Sequence, residues 1–258
     1  MAGYFKTLLA TDRVIKVFCT GRLAHPVAIE MFGLSGGYDG FWIDQEHAGV
    51  TVQQIHMAAL AGRASGLGSF VRLPVTNYAA VTQSLESGVD GVMAAQVHSA
   101  AEAEQFVRWA KFAPRGTRGV NTQGADAHYT LKSALQLAQD ANRDHLVAIQ
   151  IETLGAVEEA DAIAAIDGVD LLFVGPADLS QALGVLGKPD EPAVWQAIES
   201  VAQACRRHGK HWGIVPADPS YAQRCVELGC RMLTVGNDVT ALRLGIAALK
   251  QAYAPQFG

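Results

Sequence analysis

Short apolar runs of strand length alternate with longer segments of helical spacing along the whole chain. The segments between the runs include "EEADAIAAI" and "AVWQAIESVAQACRRHG", whose apolar residues recur every three to four positions. Strand-helix alternation predicts parallel strands joined by helical crossovers. The predicted strands lie at residues 14–20, 38–44, 68–73, 91–97, 146–152, 171–176, 211–216 and 232–237.

Eight such units within 258 residues fit a closed α/β barrel, the (β/α)8 TIM barrel, better than an open sheet. No GxGxxG pattern follows the first strand, which disfavours an open dinucleotide-binding fold. The Gly- and Pro-containing segments 113–129 and 184–192 are predicted to be long loops within the domain. We therefore expect one barrel domain over residues 1–258.

The composition is that of a compact protein: half of the residues are hydrophobic and 17% are charged. The net charge of -5 gives no basic surface for nucleic acid or for an anionic membrane. The N-terminus lacks a signal-peptide pattern and no apolar run is long enough to cross a membrane, so a cytoplasmic location is predicted. Four cysteines without a CxxC pair predict free thiols and neither a disulfide nor a zinc knuckle.

A cluster of polar residues follows the second predicted strand in "FWIDQEHAGV", where Asp44, Glu46 and His47 fall within four positions. In a (β/α)8 barrel the reactive groups lie on the loops after the strands. Taken alone, however, the cluster is better explained by a solvated loop histidine and a turn-forming or capping aspartate. The polar residues at the other strand ends are therefore needed to interpret it.

Arg72 lies among apolar residues in "FVRLP", and a buried guanidinium requires an anionic partner. A substrate carboxylate and a structural acid are equally good candidates for that partner. Glu152 and Asp178 follow the fifth and sixth strands and are hard oxygen ligands of the kind that Mg and Mn prefer. Asp178 taken alone is better explained as a helix cap, but two carboxylates at successive strand ends favour a divalent ion.

Seven motifs together resemble the HpcH/HpaI family of class II, metal-dependent pyruvate aldolases. In chain order they are "IDQEHAG", "VRLP", "GVDGVMAAQV", "APRGTRGV", "IQIET", "GVDLLFVGPADLS" and "ELGCRMLTVGND". Their order and spacing are similar to those of the family over nearly the whole chain. The resemblance implies a (β/α)8 barrel that cleaves 4-hydroxy-2-oxo acids to pyruvate and an aldehyde.

The resemblance also implies roles for individual residues in the catalytic step. His47 would be the base, and Arg72 would hold the keto oxygen and stabilise the enolate. Glu86 occupies the position of a carboxylate that raises the basicity of the histidine. Asp44 is close enough in sequence to orient the imidazole or favour its charged form. A base and a cationic group beside the carbonyl are what a retro-aldol reaction needs.

For binding, the resemblance implies a divalent metal ion (Mg, Mn or Co) held by Glu152 and Asp178. Gln150, the backbone at Ala177, Asp178 and Arg72 would bind the keto acid. The implied partners are a small keto acid and an aldehyde, with neither nucleic acid nor membrane. The family further implies a homohexamer in which helices are exchanged between subunits.

Cys19, His25 and Gln45 depart from the family pattern and are expected to change the aldehyde pocket. A Schiff-base mechanism would need a lysine at the barrel mouth, and Lys16 in the first strand is the one lysine within a predicted strand. Two other functions are weighed: a CoA-ester carbon-carbon lyase or decarboxylase that uses the same metal enolate, and a vacant barrel that serves as a binding module. The sequence shows no basic path for a CoA tail.

Overall fold

The computed structural model describes residues 3–257 of the chain. Eight parallel strands pair in sequence order, and the first strand pairs with the last to close the barrel. The predicted (β/α)8 barrel is therefore confirmed. The strands are β1 Ile15–Thr20, β2 Gly40–Asp44, β3 Gly68–Pro74, β4 Gly91–Ala95, β5 Leu146–Ile151, β6 Leu171–Val174, β7 His211–Ile214 and β8 Met232–Asn237.

Helices follow the strands, and one further helix precedes them. In chain order they are α1 Tyr4–Leu9, α2 Pro26–Ser35, α3 Val52–Ala64, α4 Tyr78–Glu86, α5 Ala100–Ala110, α6 Ala134–Asp144, α7 Leu154–Glu158, α8 Ala160–Ala165, α9 Pro176–Ala182, α10 Pro192–His208, α11 Pro219–Glu227, α12 Asp238–Ala252 and α13 Ala254–Phe257. No helix within residues 3–257 is both long and apolar enough to cross a membrane.

The sequence marks where each crossover helix begins. The hydroxyl oxygen of Thr51 accepts a hydrogen bond from the backbone N–H of Gln54, and the backbone N–H of Thr51 donates one to the side-chain oxygen of Gln54, which makes a capping box at the start of α3. Asn77 and Ser99 cap α4 and α5 in the same way with their side-chain oxygens. These caps fix the residue at which each of the three helices begins after its strand.

Helix α1 closes the barrel at the end where the strands begin. Phe5 is buried and its ring meets Phe70 of β3 edge to face, with centroids 5.3 Å apart. The hydroxyl of Tyr4 donates a hydrogen bond of 2.8 Å to the carbonyl of Asp39, just before β2. The barrel interior is therefore filled from this end, and the open end is the one where the strands finish.

The two predicted long loops lie within the domain, as expected. Segment 113–129 connects α5 with α6 and contains a 3-10 helix at Ala125–Ala127. The segment leaves the closed end of the barrel after α5 and reaches the start of α4, where the N–H of Gly119 donates a hydrogen bond to the hydroxyl of Tyr78. Segment 184–192 connects α9 with α10.

Candidate active site

Arg72 of β3 is bound by two carboxylates at the barrel mouth. Asp44 is its register partner on β2; Nε of the guanidinium donates a hydrogen bond of 3.2 Å to Oδ1 of Asp44, and Nη2 forms an ion pair with Oδ2 over 2.9 Å. Nη1 lies 3.2 Å from Oε2 of Glu46. The Trp42 ring lies 4.8 Å from the guanidinium carbon. The sequence left open whether the partner of Arg72 is a substrate carboxylate or a structural acid. In the structure its partners are acids of the protein itself.

Asp44 also forms the turn that carries the histidine. Its Oδ1 accepts hydrogen bonds from the backbone N–H groups of Glu46 and His47, over 3.1 and 3.2 Å. The imidazole itself is exposed, and its Nε2 lies 3.7 Å from Oε2 of Glu46. Asp44 thus contacts the backbone of His47, and the carboxylate beside the ring is that of Glu46.

Glu152 follows β5 and is almost fully buried. Its Oε1 accepts hydrogen bonds from the backbone N–H and the side-chain amide of Gln96, and its Oε2 accepts one of 2.6 Å from Nε2 of Gln150. Burial raises the pKa of Glu152 to about 7, and the negative charges of Glu46 and Asp178 act in the same direction. The surroundings of this carboxylate therefore contain more negative than positive charge.

Asp178 and Ala177 lie in the first turn of α9, directly after β6. Gly175 is the N-cap residue of this helix, and no side chain makes the capping hydrogen bond, so Asp178 is not used as a cap. A side chain at Gly175 would overlap Oε2 of Glu152 and come within 2.8 Å of Nε2 of Gln150. The absence of a side chain at position 175 thus lets α9 start next to the β5 acid.

These residues fit a divalent ion of the Mg or Mn type. Within residues 3–257 no three His, Cys, Asp or Glu side chains are grouped as a complete metal cage. Mg binds through one or two carboxylates and completes its shell with water and substrate oxygens. Glu152 and Asp178 provide that number of carboxylates, and the buried Oε1 of Gln150 is a further oxygen without a hydrogen-bond partner. The donor set therefore suits an ion shared with an oxygen-rich substrate.

The structure does not bring Glu86 together with His47 within one chain. Glu86 is the last residue of α4, which runs back from the mouth, and it accepts a 2.9 Å hydrogen bond from Nδ2 of Asn121. It lines a separate cavity of about 450 Å³ with His56 and Tyr129. An effect of Glu86 on the histidine stays a prediction.

The residues that depart from the family pattern take ordinary structural roles. Nδ1 of His25 accepts a hydrogen bond from the N–H of Val27 and caps α2. The side chain of Gln45 donates to the carbonyl of Val50, and burial raises the pKa of the Cys19 thiol. Lys16 is the second residue of β1 and lies far from the mouth along its strand.

Sequence reasoning missed two charged residues near the mouth. Arg22, on the loop between β1 and α2, donates a 2.7 Å hydrogen bond from Nη2 to the backbone carbonyl of His47. Asp238, the first residue of α12, accepts hydrogen bonds from the same loop. The position of Arg22 shortly after the first strand was a signal that could have identified it.

Comparison with known proteins agrees with the fold and the motifs. The profile of the HpcH/HpaI aldolase/citrate lyase family matches residues 17–244. A 5-keto-4-deoxy-D-glucarate aldolase of Shigella boydii is 32% identical over 255 residues, which cover 96% of this chain and 95% of that relative. The aldolase of the same name from Klebsiella pneumoniae is also 32% identical, with 96% of each chain covered.

Solved structures give the same result. The HpcH/HpaI aldolase of Desulfitobacterium hafniense superposes with a TM-score of 0.89 at 31% identity, covering 96% of this chain and 97% of that one. A family protein of Burkholderia cenocepacia has a TM-score of 0.87 at 31% identity, with 96% and 98% covered. The chain, a carbon-carbon lyase of the aldolase type, therefore belongs to the HpcH/HpaI aldolase/citrate lyase family.

Proposed function

We propose that this protein cleaves 4-hydroxy-2-oxo acids to pyruvate and an aldehyde with the help of a divalent metal ion, and catalyses the reverse addition. The observation that carries the proposal is the pair of carboxylates, Glu152 and Asp178, at the same barrel mouth as the buried cation Arg72. The names of the relatives, 5-keto-4-deoxy-D-glucarate aldolases, support a sugar-derived substrate of this class.

Glu152 and Asp178 would hold the ion, which when bound withdraws electrons from the keto oxygen and stabilises negative charge there. Gln150 and the backbone at Ala177 lie beside these carboxylates and would orient the keto acid. Arg72 keeps a fixed positive charge near the keto oxygen, because Asp44 and its other carboxylate partner hold the guanidinium in place.

His47 would act on the other half of the substrate. Its exposed imidazole accepts the proton of the C4 hydroxyl, the C3–C4 bond breaks, and the C4–O bond becomes the aldehyde carbonyl. The electron pair of the broken bond forms the C2–C3 double bond of the pyruvate enolate. A proton added at C3 then gives pyruvate. The carboxylate of Glu46 lies 3.7 Å from Nε2, which places a negative charge beside the imidazole.

The test is pyruvate release from a panel of sugar-derived 4-hydroxy-2-oxo acids, measured before and after removal of metal. EDTA should abolish the activity, and Mn, Co or Mg should restore it, because a site of two carboxylates holds such ions exchangeably. Full activity in excess chelator would contradict the proposal. CoA thioesters serve as the comparison substrates, since their preferential cleavage would favour the alternative CoA-ester lyase.

We also propose that the protein is a homohexamer in which α12 packs on a neighbouring subunit. In α12 only Asp238 is buried, whereas Leu242, Leu244, Ile246 and Leu249 are each at least 49% exposed. An apolar helix surface of this extent is typical of a subunit contact.

Sedimentation velocity measures the assembly directly. The double variant Leu244→Glu, Leu249→Glu should sediment as a smaller species than the parent protein, because both substitutions place charge in the proposed contact. Gln251→Glu on the same exposed helix is the control and should keep the parent assembly. A monomeric parent protein would contradict the proposal.

A further inference from the structure

Arg22 places a second guanidinium at the barrel mouth, on the exposed loop between β1 and α2. Nη2 donates to the backbone carbonyl of His47, and within residues 3–257 Arg22 makes no ion pair with a carboxylate. Arg72, by contrast, has its donors directed at two acids. The remaining N–H groups of Arg22 are therefore available to an anion from solution.

The loop that carries Arg22 is fixed by Asp238. Oδ2 of Asp238 accepts hydrogen bonds from the hydroxyl of Thr20 over 3.1 Å, from the N–H of Gly21 over 2.9 Å and from the N–H of Leu23 over 2.7 Å. The backbone is thus held on both sides of position 22. A held backbone presents the guanidinium at a defined place and lowers the conformational entropy lost when it binds a ligand.

The position of Arg22 places it on the side of the site where the aldehyde half of the substrate would lie. The keto-acid half belongs with Arg72 and Glu152, whereas His47 acts on the C4 hydroxyl. Substituents beyond C4 therefore lie on the side of His47, and Arg22 contacts the same residue.

The net charge of the residues at the mouth is unfavourable for an aldehyde that carries its own carboxylate. The carboxylates of Asp44, Glu46, Glu152 and Asp178 outnumber the positive charges of Arg72 and a divalent ion together. A substrate with a second carboxylate would be repelled unless a further positive charge stood beside it.

We propose that Arg22 binds a carboxylate on the aldehyde half and thereby selects 4-hydroxy-2-oxo diacids over substrates with a neutral aldehyde half. The inference rests on the proposed function. A guanidinium suits this role because its N–H groups match the two oxygens of a carboxylate.

The experiment compares two aldehydes in the addition of pyruvate. Tartronate semialdehyde and glyceraldehyde share a framework, but the first ends in a carboxylate and the second in a hydroxymethyl group. The measured quantity is the ratio of kcat/KM for the acidic aldehyde to that for the neutral one. In Arg22→Gln, which keeps an amide donor for the His47 carbonyl, the ratio should fall about 10- to 100-fold, the scale of a charge-assisted hydrogen bond.

Two further variants separate binding from loop structure. Arg22→Lys should have a ratio between those of Arg22→Gln and the parent enzyme, because lysine keeps the positive charge but lacks the two parallel N–H donors of a guanidinium. The control is Arg206→Gln, which removes a positive charge from an exposed position on α10. This variant should have the same kcat/KM ratio as the parent enzyme. The binding role predicts that the change in Arg22→Gln appears mainly in KM for the acidic aldehyde.

The outcomes distinguish this inference from the proposed function. An equal loss on both aldehydes would mean that Arg22 only supports the His47 loop, and the inference would be wrong while the aldolase proposal stands. An unchanged ratio would overturn it as well. A parent enzyme that adds pyruvate to neither aldehyde would overturn the inference, and the proposed function falls with it only if no acid of the panel is cleaved with Mg or Mn supplied.

Discussion

The guanidinium of Arg72 is buried between two carboxylates and the Trp42 ring, so its charge is compensated before any substrate arrives. Asp44 binds it through both oxygens, which requires a planar fork of donors. A lysine ammonium would keep the charge but could not contact Asp44 and Glu46 in the same plane. Shape and charge therefore both matter at this position.

Arg72→Lys should accordingly lower kcat about 100-fold or more, the scale for the loss of an electrostatic donor at the reacting oxygen. Steady-state pyruvate release checks the prediction, and circular dichroism and metal content of the same sample serve as controls. If kcat stays close to that of the parent enzyme, Arg72 has a structural role alone.

His47→Asn should slow cleavage by roughly two to four orders of magnitude, the scale for the loss of a general base. The fold should persist, because the imidazole is exposed and its removal leaves no cavity. Metal content and cleavage rate are measured on the same preparation. A variant that keeps its metal and cleaves at the parent rate would exclude His47 as the base and direct attention to Asp44, Glu46 or a metal-bound hydroxide.

At the scale of elements, the site depends on how closely the start of α9 approaches the end of β5. Gly175 sits at this junction with a negative φ of -101°, so its role is close approach and not an unusual backbone angle. Glu152 and Gln150 lie where a side chain at position 175 would be. Small residues at such junctions set the distance between neighbouring elements.

Gly175→Ala should therefore displace Glu152 and weaken metal binding at least about tenfold, with a loss of about 1–3 kcal/mol in the free energy of unfolding from overpacking. Calorimetric titration with Mn and chemical denaturation measure the two effects. Gly49→Ala is the matched control, since a side chain there has no atom within 4 Å. Parent-like Mn affinity in Gly175→Ala would show that the junction tolerates the methyl group.

For the molecule as a whole, the closed end of the barrel holds two basic side chains, Lys111 and His145, whose pKa values are lowered by burial. Lys111 is buried and donates to the backbone carbonyls of Asn142 and His145. Burial lowers the pKa of Lys111 to about 7, and burial together with Arg118 and Lys111 lowers that of His145 well below its usual value. The folded protein thus resists protonation of His145.

The contribution of His145 to stability should be lost in acid for this reason. Below about pH 6.5 the histidine of the unfolded chain binds a proton while the folded His145 does not, so this contribution to the free energy of unfolding decreases as the pH falls, by up to about 1.4 kcal/mol per pH unit. The raised pKa of Glu152 acts in the opposite direction, so the slope of a His145 variant is compared with that of the parent protein. Urea unfolding between pH 5 and 8 measures the slope. His145→Asn should flatten it relative to the parent protein, whereas His98→Asn, at an exposed position, should not. An identical slope in His145→Asn would refute the assignment.

The periodicity of the chain by itself determined the architecture. Strand-length apolar runs alternating with helices favour a closed parallel barrel over an open sheet, and every predicted strand is present. Because parallel strands all end at one face, the same pattern assigned Asp44, Glu152 and Asp178 to a common mouth. These inferences depend on local sequence and on one rule of topology, so they need no knowledge of contacts between distant residues.

The tertiary structure alone decided which groups meet. The β2–β3 register pairs Arg72 with Asp44, and the return path of α4 carries Glu86 away from His47 in the same chain. Asp238 reaches the loop before Arg22 although more than 200 residues separate them. Such contacts depend on strand register and barrel closure, which bring together residues that are remote in sequence. Periodicity determines which face of an element is buried, but not which side chain from a distant element lies against it.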